Sequence, residues 1–327
     1  MSEAESGTES VFARIKRRHR GAFDSLGRGW ERFRQHRMGV VGLTLFVAIV
    51  AMAVLAPVLA PHGVGWQAPE TSEYSFDDEG NIVTEGVIHP AGPALGGLTG
   101  DDYVAPLGTT ADRHGVLTQL IFGSRIALYI GLTAGLLSSL VGVPLGLVSG
   151  YYGDTWVDES IQRLIDVMYG LPFLPLVIVL VAVNGINTTN IIIAIALKSW
   201  TNNALVIRGE TLSLKERTYV EAAKVSGASD TRVVFRHILP NVLPLGFVYL
   251  AQDAAFAILT QANLAFLGLA DSTVVSWGTM LQQIQLAGEV YSAPWWLLPP
   301  GIMITLLAAS FYFVGYSLED VMNPHTD

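Results

Sequence analysis

Six runs of mostly apolar residues divide the chain, each close to the 20 or so residues that a helix needs to cross the hydrocarbon of a bilayer. The first, 38–60, is free of charge and stops at Pro61. The second, 126–150, is also uncharged. The third, 165–183, opens with Asp166 and holds Pro172 and Pro175. The fourth, 188–207, is interrupted by Lys198; the fifth, 242–269, carries Asp253; the sixth is 295–318. Glycine and proline are tolerable inside such helices, because neighbouring helices and water satisfy the freed backbone groups. The pattern predicts an all-α membrane protein with six transmembrane helices. The first run is too long and starts too far in for a cleaved signal peptide, so it reads as a retained helix.

The segments between the runs fix an expected orientation. Residues 1–37 hold nine basic and five acidic residues, a net +4 against −9 for the whole chain. A basic flank that leads straight into a span reads as a cytoplasmic anchor in the lipid bilayer rather than an arm for nucleic acid. Residues 61–112 carry nine acidic residues and no Lys or Arg, and therefore belong outside. With the lead-in to residue 124 they form a small extracytoplasmic insertion, in which 74–87 reads as a β-hairpin. Counting spans puts 151–162 and 208–240 inside, and 184–187 and 270–294 outside. The six basic residues of 208–240 agree. The core is then 125–318, the tail 319–327 is cytoplasmic, and the protein is a multi-pass component of the cell membrane with both termini inside.

Composition removes several classes of function. Charged residues make up 14% and hydrophobic ones 51%, with mean hydropathy +0.44, too little charge to cover a soluble domain of this size. There is no cysteine, and the seven histidines do not pair at metal-ligand spacing. No Gly-x-x-x-x-Gly-Lys-Ser/Thr loop cradles a phosphate, and no nucleophile, paired-carboxylate or zinc constellation stands out. No catalytic residue, metal site or cofactor is therefore assigned to this chain, and energy for any active process must come from another polypeptide.

The 208–240 loop is too charged to enter the bilayer and too ordered to be a slack linker. Residues 214–225 are strong helix formers, and Gly227 follows where a helix C-terminus prefers glycine. Ser229 or Asp230 can cap a second helix over 231–238. Pro240 and Pro244 then mark an expected turn into the fifth span.

Within this loop Glu221-Ala222-Ala223, Gly227 and Ile238-Leu239-Pro240 resemble the EAA loop of ABC importer permeases. The family pattern places Ile two residues before Leu-Pro; here that place is His237, and the His-Ile-Leu-Pro-Asn form is similar to the dipeptide/oligopeptide branch. Residues 30–42 (WERFRQHRMGVVG), Pro106-Leu107-Gly108-Thr109 with Arg113 and Gly115, Phe266-Leu267-Gly268-Leu269 with Ser276-Trp277-Gly278, and Ala293-Pro294-Trp295-Trp296 extend the resemblance over about 28–325. Thr110, Arg113 and His114 depart from the branch's usual outer pattern, and 61–104 is unusually acidic.

The resemblance implies the type I importer permease fold and uptake of di- or oligopeptides or similar small solutes. It also implies three kinds of partner: a second similar permease, two cytoplasmic ATPase subunits that use ATP and Mg, and an extracytoplasmic solute-binding protein. The loop helix would dock in a groove on an ATPase, with Tyr219 and Val220 as apolar contacts, small Ala222 and Ala223 allowing close approach, Glu221 capping or pairing, Gly227 bending, and Leu239 and Pro240 completing the motif. Lys198 and Asp253 lie inside apolar runs, where charge is expensive and faces a path or a partner. They are candidate substrate-pathway residues, with a mutual ion pair or contacts with the partner permease as the alternative. Rival functions are an ion-coupled secondary transporter and a scaffold subunit with no path of its own.

Overall fold

The computed structural model describes residues 31–68, 73–76, 82–85, 89–93 and 105–322. The element order is α1 (Arg37–Val54), α2 (Ala56–Leu59), β1 (Glu73–Phe76), β2 (Ile82–Glu85), α3 (Val116–Tyr151), α4 (Trp156–Gly170), α5 (Phe173–Asn184), α6 (Thr188–Lys215), α7 (Thr218–Val225), α8 (Asp230–Val233), α9 (Leu239–Phe266), α10 (Trp277–Leu286) and α11 (Pro294–Met322). Among the described residues five helices, counting α8–α9 as one, are long and apolar enough to cross a membrane; the bent pair α4–α5 brings the number to as many as six. The helical, multi-pass expectation holds. The expected hairpin is present, with Glu73 opposite Glu85 and Phe76 opposite Ile82; its tip lies outside the described residues.

Helix α3 is the central element. It packs along α6 and α9 and touches α1, while α11 packs against both α9 and α1. Lipid tails give helices no hydrophobic push toward each other, so association rests on close van der Waals contact. Glycines at four-residue spacing supply it. A Cβ at Gly135 would lie 2.8 Å from the Leu250 carbonyl oxygen of α9. A Cβ at Gly142, Gly146 or Gly150 of α3 would lie 2.6, 2.5 or 2.7 Å from the carbonyl oxygens of Trp200, Ala204 and Arg208 of α6. This small-residue stripe was present in the sequence but did not enter the span prediction, which scored hydrophobicity alone.

Four expectations need correction. The first run ends as a helix at Val54 rather than residue 60, and Arg125 caps it: Nε donates to the Ala53 carbonyl at 2.6 Å and Nη2 to Val54 at 3.4 Å. The second helix starts at Val116, so the last part of the supposed lead-in belongs to the core. The third run is not one helix: α4 and α5 meet at 87° around Pro172. The segment 270–294, expected as a loop between spans, is not plain loop. It contains α10, too short to span, capped by Ser276 and Thr279 and sunk into the bundle by the buried Trp277, whose indole donates to the Leu120 carbonyl at 2.9 Å.

Candidate docking segment and intramembrane pocket

Within 208–240 lies a short helix, α7, held at both ends. Helix α6 runs to Lys215, and a turn at 216–217 separates it from α7, so the expected single helix over 214–225 is two. The turn lets Val220 enter the protein, where it is fully buried. At the other end Ala228 N–H donates to the Ala223 carbonyl at 3.1 Å and Gly227 N–H to Lys224 at 2.9 Å, closing a Schellman motif. Gly227 has φ +82°, and a Cβ there would meet nothing within 4 Å. Its requirement is therefore backbone conformation and not space.

Beyond Gly227 the expected helix-then-turn does not occur. Helix α8 passes through one wide π-helical turn, Val234–Ile238, straight into α9. Proline lacks an N–H and its ring crowds the carbonyl four residues back; the wider turn ahead of Pro240 accommodates both faults without breaking the helix.

The inner side of this segment is an apolar plug. Val220, Val233, Ile238 and Val242 pack with Val143, Leu147, Ile207 and Leu214 of α3 and α6. Polar clamps surround it. Tyr151 donates to Asp230 Oδ1 at 2.6 Å. Asp158 of α4, itself buried, accepts a two-pronged bond from Arg208 (Nε 2.8 Å, Nη2 2.6 Å) and one from Ser149 Oγ at 2.5 Å. Bidentate Arg–carboxylate pairs fix orientation as well as adding energy. The outer side presents Glu221, Ala222, Val225 and Phe235, with Val225 90% and Phe235 63% exposed.

Lys198 and Asp253 share one pocket of about 300 Å3, walled by Tyr169, Ser199, Asn202, Phe256 and Tyr312. They do not bond to each other. Lys198 Nζ donates to the Met168 carbonyl at 2.8 Å and lies 3.4 Å from that of Leu171. Met168 is four residues before Pro172, so its carbonyl is the one that the proline leaves without a helical partner. The lysine sits among apolar residues because a broken helix needs a cation at its C-terminal end. Asp253, 7% exposed, accepts from Asn203 Nδ2 at 2.6 Å. The Ser199 hydroxyl and Asn203 Oδ1 are buried with no hydrogen-bond partner among the described residues.

The profile of the family described as "binding-protein-dependent transport system inner membrane component" matches residues 142–327, which include the whole clamped segment and the pocket. This chain belongs to that family. A second profile, the N-terminal TM domain of oligopeptide transport permease C, matches residues 25–74 of this permease. Its relatives include the dipeptide transport system permease protein DppC of Bacillus subtilis (strain 168), 31% identical over 90% of this chain and 84% of the relative. The oligopeptide transport system permease protein OppC of Escherichia coli (strain K12) is 34% identical over 90% and 89%. The glutathione transport system permease protein GsiD of Pectobacterium atrosepticum is 30% identical over 90% and 89%. An inward-facing structure of the MetNI methionine ABC transporter aligns with TM-score 0.51 and 16% identity over 64% of this permease and 97% of that chain, a likeness of fold.

In this permease the predicted loop residues divide into two groups. Glu221, Ala222 and Gly227 are exposed, Tyr219 is 45% exposed, and Ala223 is half-buried. Val220 is not available as a contact for a partner; it is the anchor of the plug. Leu239 packs on the plug and Pro240 opens α9, so both shape the base of the segment. Val225, Phe235, Tyr151 and the Asp158–Arg208 pair were missed. The first two were visible as apolar residues in a charged loop. The others depend on contacts between distant parts of the chain.

Proposed function

We propose that this permease forms, with a second similar permease, the path by which peptides enter the cell, driven by two separate ATPase subunits that bind ATP and Mg on the cytoplasmic side. An extracytoplasmic solute-binding protein delivers the substrate. The N-terminus and the α7–α8 segment are cytoplasmic, in keeping with the basic residues there, and the C-terminus is placed on the same side by the count of spans alone. The observation that carries the reading is a short exposed helix, clamped at both ends onto a buried apolar plug. That is the form a rigid handle needs if closure of a neighbour is to move membrane helices. The names of the relatives, a dipeptide, an oligopeptide and a glutathione system, favour peptides as the cargo.

The test is Ala222→Trp. Residue 222 is exposed, so the large side chain does not disturb the plug. The expected result is normal permease in the membrane with its ATPase subunits lost on purification. Full retention of the ATPases overturns the proposal. Uptake that survives ATP depletion but stops when an ion gradient is collapsed favours a secondary transporter instead.

The pocket containing Asp253 and Lys198 is proposed to face the path. Lys198 has one ammonium donor beyond its two carbonyls and Asp253 has lone pairs beyond the Asn203 bond, so both retain capacity for a passing polar group. Uptake profiles of Asp253→Asn and Lys198→Ala test this; wild-type substrate profiles in both remove it.

A further inference from the structure

We infer that Tyr151 is the positioning residue that carries movement of the α7–α8 segment into α3. The inference rests on the proposed docking of that segment to an ATPase. Tyr151 is the last residue of α3 and is 5% exposed. Its hydroxyl donates to Asp230, the first residue of α8, at 2.6 Å. Lys224 Nζ, in the last turn of α7, lies 5.2 Å from the centre of its ring. Lys215 Nζ, at the end of α6, lies 5.9 Å from the same centre.

One side chain therefore gathers all three pieces of the segment. These pieces are separated by the turn at 216–217 and by the bend at Gly227, the two places where the segment can hinge. A hydroxyl bonded to a carboxylate is a charge-assisted bond, and a tyrosine face attracts ammonium groups. With both in place, a push on α7 reaches Tyr151 before either hinge takes it up. Helix α3 then passes the displacement on, because its glycine stripe seats it against the backbones of α6 and α9 with no flexible side chain between. Close-packed contacts of that kind shift as units and do not deform gradually.

The hydroxyl and the ring can be removed separately. The experiment uses the complete importer, with ATPases and binding protein, in liposomes loaded with ATP, and reads peptide taken up per ATP hydrolysed. Tyr151→Phe keeps the ring and loses the bond to Asp230. The expected result is a ratio lowered roughly tenfold, about what loss of one hydrogen bond to a charged group does to an equilibrium, with hydrolysis retained. Asp230→Ala should lower the ratio equally, and the double variant no further. Tyr151→Leu, which also removes the cation-attracting face, should lower it more.

An unchanged ratio in Tyr151→Phe overturns the inference. So does a parallel fall of uptake and hydrolysis that follows the amount of assembled importer, which is what a merely structural role gives. A cross-link from Val225→Cys to an ATPase subunit separates the two failures. If it forms and Tyr151→Phe stays coupled, only the role of Tyr151 is wrong. If no cross-link to an ATPase forms, the docking reading fails and this inference falls with it.

Discussion

The α7–α8 segment and the Lys198–Asp253 pocket are two polar regions of this permease that handle charge in opposite ways. The segment turns Glu221, Arg232 and Arg236 outward and is held from within by valine and isoleucine. The pocket turns Asp253 inward and holds each charge with a hydrogen bond, from Asn203 to Asp253 and from Lys198 to the Met168 carbonyl. At an end of the bundle water solvates charges freely, so apolar residues are free to anchor. Within the spans no water is assured, so every charge must answer to a named partner. The same contrast governs proline. Pro240 passes through a widened helical turn, while Pro172 breaks its span by 87° and needs a lysine to satisfy the carbonyl it orphans.

The sharpest way to break the contrast is to put a charge into the plug. Val220→Asp should cost about 3–5 kcal/mol, the scale of a buried charge with no partner. Limited proteolysis should then cut the α7–α8 segment while the pocket end of the bundle stays protected; equal protection of both contradicts the anchoring role. Lys198→Met keeps the length of the side chain and removes its donors. It leaves the Met168 carbonyl unpaired among apolar neighbours, a loss of about 1–3 kcal/mol. Thermal unfolding of the purified permease measures it, and Pro172→Ala in the same background should restore much of the loss by giving that carbonyl a helical N–H again. If the second substitution restores nothing, the orphan carbonyl is not why the lysine is there.

Gly227→Ala should cost about 1–2 kcal/mol, from backbone strain alone, since nothing crowds the position. It should loosen α7 without touching the pocket, and hydrogen exchange confined to 218–228 is the signature.

The smallest effect belongs to neither region but to the segment between α2 and α3. Burial, and then the nearby Arg113, holds His89 below the ordinary histidine value of 6.5. Its neutral form is the one the fold favours. The stabilisation is therefore complete above pH 6.5 and is lost as pH falls toward the lower folded value. An unfolding midpoint that drops on acidification across this window, and drops less in His89→Gln, is expected.

Much of this permease was legible because the bilayer is a demanding solvent. Only helices with internally satisfied backbones can cross it, so runs of 20 or so apolar residues locate the spans without reference to packing. The family motif located the exposed segment, and glycine after a helix-forming stretch located its bend. Less legible were the limits of elements. The breaks at 216–217 and at Pro172 and the wide turn before Pro240 depend on what each segment packs against, which local propensity does not contain. Helix α10 was hidden because it is short and carries three glutamines; its depth in the bundle comes from Trp277 bonding to a carbonyl 157 residues away.

The sequence by itself determined the rough placement of the apolar helices, the basic N-terminal and acidic 61–112 segments, the lack of a phosphate-binding loop and the charged segment that stays out of the bilayer. Those depend on residue type and spacing along the chain. Tertiary structure alone decided that Val220 is an anchor and not a contact, that Lys198 answers a carbonyl broken loose by Pro172, and that Tyr151 touches α6, α7 and α8 at once. Each of these is a meeting of residues far apart in the chain, set by side-chain contact across helices, which no local pattern of hydrophobic and polar positions encodes.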